Sequence, residues 1–93
     1  MSVLILGGNE RMERQYKDLC KQYNCRAKVY TKITGGMKNK IGSPDLMILF
    51  VGALSHKMLQ SAMNGIRGND TIIARCPNSS MEALRGVLET YTK

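Results

Sequence analysis

Ninety-three residues, 43% of them hydrophobic, are enough for one globular domain over 1–93 and too few for two. The formal charge of +7 raises the question of an anionic partner, but Lys and Arg run from Arg11 to Lys93 without forming one block, which reads as a solvated surface. No apolar run nears the roughly 20 residues that span a bilayer, and three cysteines without C-x-x-C spacing argue against a disulfide framework or a structural zinc site.

The chain begins Met1-Ser2-Val3-Leu4-Ile5-Leu6 and enters a strand pattern directly, without the basic start of a signal peptide, so a cytoplasmic protein is expected. Val3 to Leu6 is a continuous apolar run, as for a strand covered on both faces, and Gly7-Gly8 ends it. Asn9 then suits a helix cap. Met12, Tyr16, Leu19, Cys20 and Tyr23 recur at helical spacing, and Asn24 suits the exit. Ala27 to Tyr30 predicts a second, more polar strand at a sheet edge. The segment 33–45 is irregular, with Gly35-Gly36, Gly42 and Ser43-Pro44, and is expected to cross a sheet face with one helical turn near 37–41.

Leu46 to Val51 is the most apolar run and the expected central strand. Ser55 can cap a second helix with Met58, Leu59, Ala62, Met63 and Ile66 inward. Gly68-Asn69-Asp70 predicts a turn and Thr71 to Ala74 a fourth strand. Ser79 and Glu82 have capping-box spacing, opening a helix with Met81, Leu84, Val87, Leu88 and Tyr91 inward. Strands alternating with helical segments mean an α/β domain on an open parallel sheet. Right-handed crossovers favour strand order 2-1-3-4, a Rossmann-like or flavodoxin-like arrangement with three main helices. Strands 2 and 4 are left at the edges, so a homo-oligomer is expected.

Several local patterns have a familiar look: the first strand ending in Gly7-Gly8, Arg11 and Arg14 around Met12 to Tyr16, and Pro44-Asp45 before the long apolar strand. Ser55-His56-Lys57, and Arg75 followed by Ser79-Ser80 and Ala83-Leu84, complete the set. Together they resemble the bacterial family called domain of unknown function 2325 over nearly the whole chain. The resemblance implies a small α/β fold and carries no activity.

Ligands of open parallel sheets bind at the carboxyl ends of the strands, where chain direction reverses. For order 2-1-3-4 that crevice falls between strands 1 and 3. Gly7, Gly8 and Asn9 would line one side and Gly52, Ser55, His56 and Lys57 the other, with Arg75 and Cys76 on a flank. Helix starts there, including that at Ser79, favour an anion, with Arg11, Lys57 and Arg75 as cations. Gly7-Gly8 is too short for a dinucleotide fingerprint and no phosphate-loop motif occurs.

Cys76-Pro77 has the form of a heme regulatory motif, in which a thiolate binds ferric iron. His56, the one histidine, is a second competent axial ligand. No orienting carboxylate accompanies Cys76 and His56, and Asp45 belongs to the opposite end of the sheet, which argues against an enzyme. The expected function is therefore a non-enzymatic ligand-binding module: a heme sensor, carrier or store. The alternative is a regulatory domain holding a nucleotide or other phosphorylated anion. A further alternative is weak nucleic-acid binding through the basic surface, against which the lack of aromatic stacking or recognition motifs weighs.

Overall fold

A computed structural model describes residues 1–32, 41–66 and 70–92. The strands are β1 (Ser2–Leu6), β2 (Arg26–Tyr30), β3 (Leu46–Phe50) and β4 (Ile72–Cys76). The helices are α1 (Glu13–Gln22), α2 (His56–Gly65) and α3 (Met81–Tyr91). The four strands form one parallel sheet in the order β2-β1-β3-β4. This is the expected α/β fold, and its order follows from right-handed connections between parallel neighbours.

β3 is buried along its whole length and β1 from Val3 onward, which is why both read as unbroken apolar runs. Side chains alternate between two cores. Val3, Ile5, Leu46, Ile48, Phe50, Ala74 and Cys76 pack against Tyr16, Leu19 and Cys20 of α1 and Leu84 and Leu88 of α3. Leu4, Leu6, Met47 and Leu49 pack against Met58, Ala62 and Ile66 of α2, with Ile41. Thus α1 and α3 lie together on one sheet face and α2 lies on the other.

Asn9 caps a single 3-10 turn, Glu10–Met12, rather than α1 itself. Its side-chain oxygen accepts the Arg11 N–H, and α1 follows from Glu13. Asn24 ends the unit with φ 60°, a left-handed conformation Asn tolerates. Ser55 caps α2 by accepting from Met58 N–H. For α3 the cap is Ser80, accepting from Ala83 N–H, one residue later than the Ser79–Glu82 spacing suggests. The reason is tertiary: the Ser79 carbonyl is held by the Tyr16 hydroxyl, and Asn78 Oδ1 accepts both the N–H and the hydroxyl of Ser80. Val51 leaves β3 for a 3-10 turn, Val51–Ala53. Met63 and Tyr91, expected inward, are 38% and 37% exposed: Met63 lies at the margin of its helix's apolar stripe, and Tyr91 is the last residue of α3. The helical turn expected near 37–41 falls mainly outside the described residues, as does the Gly68-Asn69 part of the following turn.

Cys20 and Cys25 are both buried, and burial, with a smaller contribution from Cys25, pushes the Cys20 thiol up to about 12. A thiol held neutral in the fold stabilises it fully below its unfolded value of 9.0, and that contribution falls as pH rises from 9.0 toward about 12. Urea melts on either side of pH 9 should show this alkaline loss of stability, and Cys20→Ala should lessen it. An unchanged slope in the variant would assign the loss to other groups.

Candidate functional site

The loops after β1, β3 and β4 meet at the carboxyl edge and are laced to one another. Gly7 lies so close to the β3 loop that a Cβ there would sit 3.0 Å from the Ala53 carbonyl oxygen and 3.1 Å from that of Phe50. Gly52 approaches the β4 loop, where a Cβ would come within 2.8 Å of the Pro77 carbonyl oxygen. Gly7 and Gly8 have φ of 87° and 91°, in the left-handed region, so glycine is needed there on two counts.

Tyr16 joins the outer two loops. Its ring is fully buried on Phe50, with centroids 5.3 Å apart. Its hydroxyl donates to the Ser79 carbonyl at 2.7 Å and accepts the Asn9 N–H at 3.2 Å. The expected crevice between β1 and β3 is thus bridged by the Val51–Ala53 turn, and the edge is one connected platform. Sequence reasoning placed Tyr16 only as a core residue of α1 and gave Pro77 and Asn78 no separate structural role. A tyrosine on an otherwise apolar stripe, whose hydroxyl needs a partner when buried, was the available signal.

Around this platform, the starts of the 3-10 turn at Glu10, of α2 at His56 and of α3 at Met81 all open on the same edge, since each follows the end of a parallel strand. Each side-chain cap takes one N–H, while the start of an α-helix such as α2 or α3 presents about four; in the 3-10 turn Asn9 already accepts from both Arg11 and Met12 N–H. Arg11, His56, Lys57 and Arg75 are exposed, and Arg11, Lys57 and Arg75 make no ion pair among the described residues. Lys32, just past β2, is engaged by Glu10 at 3.0 Å. Asp45 lies at the far end of the sheet, accepting from Ser2 N–H at 2.7 Å, as expected.

The structure places the two candidate iron ligands, Cys76 and His56, on different sides of the sheet. Cys76 is 3% exposed, belongs to the core beneath α1 and α3, and its thiol donates to the Asn78 carbonyl at 3.0 Å. His56 opens α2 on the other face of the sheet. Strand alternation sends Arg75 to the α2 side and Cys76 to the opposite side. Ser55, His56, Lys57 and Arg75 therefore share one side of the edge, with Gly7, Gly8, Asn9 and Ser79 in the lacing between loops. Among the described residues, no three His, Cys, Asp or Glu side chains are grouped to hold a metal ion. An open depression of ≈ 380 Å³ lies elsewhere, on α3, lined by Met81, Glu82, Arg85, Gly86 and Glu89. Its two carboxylates suit it poorly to an anion.

Sheet order and loop geometry define a small open-sheet α/β domain of the flavodoxin-like class. Within that class the chain belongs to the family described as an uncharacterized protein conserved in bacteria (DUF2325), whose model matches residues 2–91. No curated protein and no solved structure matches it. No helix among the described residues is long and apolar enough to cross a membrane.

Proposed function

We propose that this domain is a non-enzymatic binding module for a phosphorylated small anion, with a nucleotide as the leading class, held at the carboxyl edge of its sheet. The observation that carries this reading is the laced platform. Three loops fixed by backbone contacts and by Tyr16 bring the starts of α2 and α3 and the exposed cations Arg11, Lys57 and Arg75 to one edge. Fixed N–H groups and positive helix ends favour anions without reorganisation, and Arg and Lys supply the countercharge.

The test is calorimetry with ATP, ADP and inorganic pyrophosphate, on the wild type and on Arg11→Ala, Lys57→Ala and Arg75→Ala. Saturable binding weakened about tenfold by each substitution is expected, near the low end of the range for one hydrogen bond to a charged group. An absence of saturable binding by all three probes would remove the reading.

Heme remains a second reading, favoured by one observation: His56, the chain's single histidine, is exposed beside Lys57 at this edge. On this reading His56 is the axial ligand, cations meet the propionates, and Cys76 stays in the core. Hemin titration should then give a saturable Soret shift that His56→Ala removes and Cys76→Ala spares. The reverse pattern would return the iron to Cys76 and require the β4 loop to open. The cytoplasm is the proposed compartment for either ligand.

A further inference from the structure

The sheet has two unlike edges. β2 places exposed Arg26 and Lys28 on one edge, the cationic guard that discourages strand pairing. β4 carries Ile72, Ile73 and Arg75, with Ile72 46% exposed. The Ile72 N–H bonds inward to the Asp45 carbonyl, so alternation along a parallel ladder turns the peptide groups of Ile73 and Arg75 outward, away from β3.

Above this edge α3 offers a matching flank. Glu89 accepts from the Tyr23 hydroxyl, which sets its flank of α3 against α1. Ala83, Val87 and Tyr91, at i, i+4 and i+8, lie on the opposite flank, over the outer side of β4. Ile72 points to this same sheet face, in alternation with Ala74 and Cys76. Among the described residues, an unpaired strand edge and an apolar strip thus run side by side.

We infer that this edge is the contact of a two-fold symmetric dimer in which two copies of the chain pair their fourth strands antiparallel, making one eight-stranded sheet. Charge selects the occupant and the edge. Among the described residues, 1–32 carry seven Lys and Arg against three Asp and Glu, whereas 41–66 and 70–92 carry three against four. A dimer joined at β4 sets its nearly neutral parts together and its strongly basic parts at the far ends. Pairing through β2 would do the reverse. A two-fold axis at Ile73 places Ile72 of one copy beside Ala74 of the second copy, beneath the Ala83–Val87–Tyr91 flank. It also keeps the two Arg75 side chains several residues apart. This inference is independent of the ligand at the carboxyl edge.

Sedimentation of the wild type across a concentration series tests it, with Ile72→Lys, Tyr91→Lys and, as control, Lys28→Ile. The expected result is a mass of two 10.4 kDa chains for the wild type and Lys28→Ile. Both lysine variants should require at least tenfold higher concentration to dimerise, with thermal melts showing them folded. In the wild-type dimer the Ile73 and Arg75 amides should resist hydrogen exchange and lose protection on dilution, which decides the matter even if a variant fails to fold. A monomer at every concentration, dimers indifferent to both lysines, or unprotected Ile73 and Arg75 amides in a dimer would each overturn it.

Discussion

Tyr16→Ala is expected to lower folding stability by about 3–5 kcal/mol, the cost of emptying a large buried aromatic site. Domains of this kind are stable by only about 5–15 kcal/mol, so the variant loses a large fraction of its stability and, at the low end of that range, stands near its unfolding midpoint. Tyr16→Phe separates the ring from the hydroxyl. The ring stays on Phe50, while the Ser79 carbonyl loses its 2.7 Å donor and the Asn9 N–H its 3.2 Å acceptor. At about 0.5–1.5 kcal/mol for each hydrogen bond, the loss should be about 1–2 kcal/mol. Amide exchange at Asn9 and over Ser80 to Ala83 should quicken, because the β1 and β4 loops lose their tie. Urea denaturation and hydrogen exchange of both variants check this. Equal losses for Phe and Ala would mean that the hydroxyl, not the packing, dominates, and a Phe variant with unchanged exchange would show that the loops are held by other contacts.

Gly7→Ala should cost about 2–5 kcal/mol, from two separable causes. A left-handed backbone with a Cβ costs about 1–2 kcal/mol, and crowding a packed site adds about 1–3 kcal/mol. At Gly7 both apply: φ is 87°, and the new methyl meets carbonyl oxygens of Ala53 and Phe50, which are backbone and cannot swing aside. Two other glycines serve as internal controls for the same substitution. Gly42 has φ 66° but open space around its Cβ position, so only the backbone cost applies there. Gly86 sits inside α3 with open space and no left-handed φ, so Gly86→Ala should stabilise the protein by about 0.5–1 kcal/mol. Chemical denaturation of the three variants should rank Gly7→Ala lowest and Gly86→Ala above wild type. Equal losses at Gly7 and Gly42 would show that the close approach of the β1 and β3 loops carries no energy.

Both predictions concern contacts between residues far apart in the chain, which marks the limit of what local pattern conveys. The strand runs Val3–Leu6 and Leu46–Phe50, the helical stripes of α1 and α2, and the sheet order were legible because burial imposes periodicity and chain chirality restricts the crossovers. The placement of Gly7, Asn9, Ser55, His56 and Arg75 at the carboxyl ends followed from the same rules. Which face each side chain takes at a strand end did not. His56 and Cys76 end neighbouring β/α units, yet alternation and the side on which α2 packs put them across the sheet from one another.

The sequence by itself determined the elements, the parallel order and the end of the sheet where loops gather, since these depend on spacing, burial and handedness within one chain segment and the next. Only the tertiary structure decided that the β3 turn closes the expected crevice, that Ser80 rather than Ser79 caps α3, and that Cys76 belongs to the core. The first two are set by contacts spanning dozens of residues, and the third by which side of the sheet each helix covers. The Tyr16 hydroxyl on the Ser79 carbonyl, the Gly7 approach to Ala53 and that of Gly52 to Pro77 leave no periodic trace in the sequence, because a single buried polar contact or one close backbone approach constrains only the residues that make it.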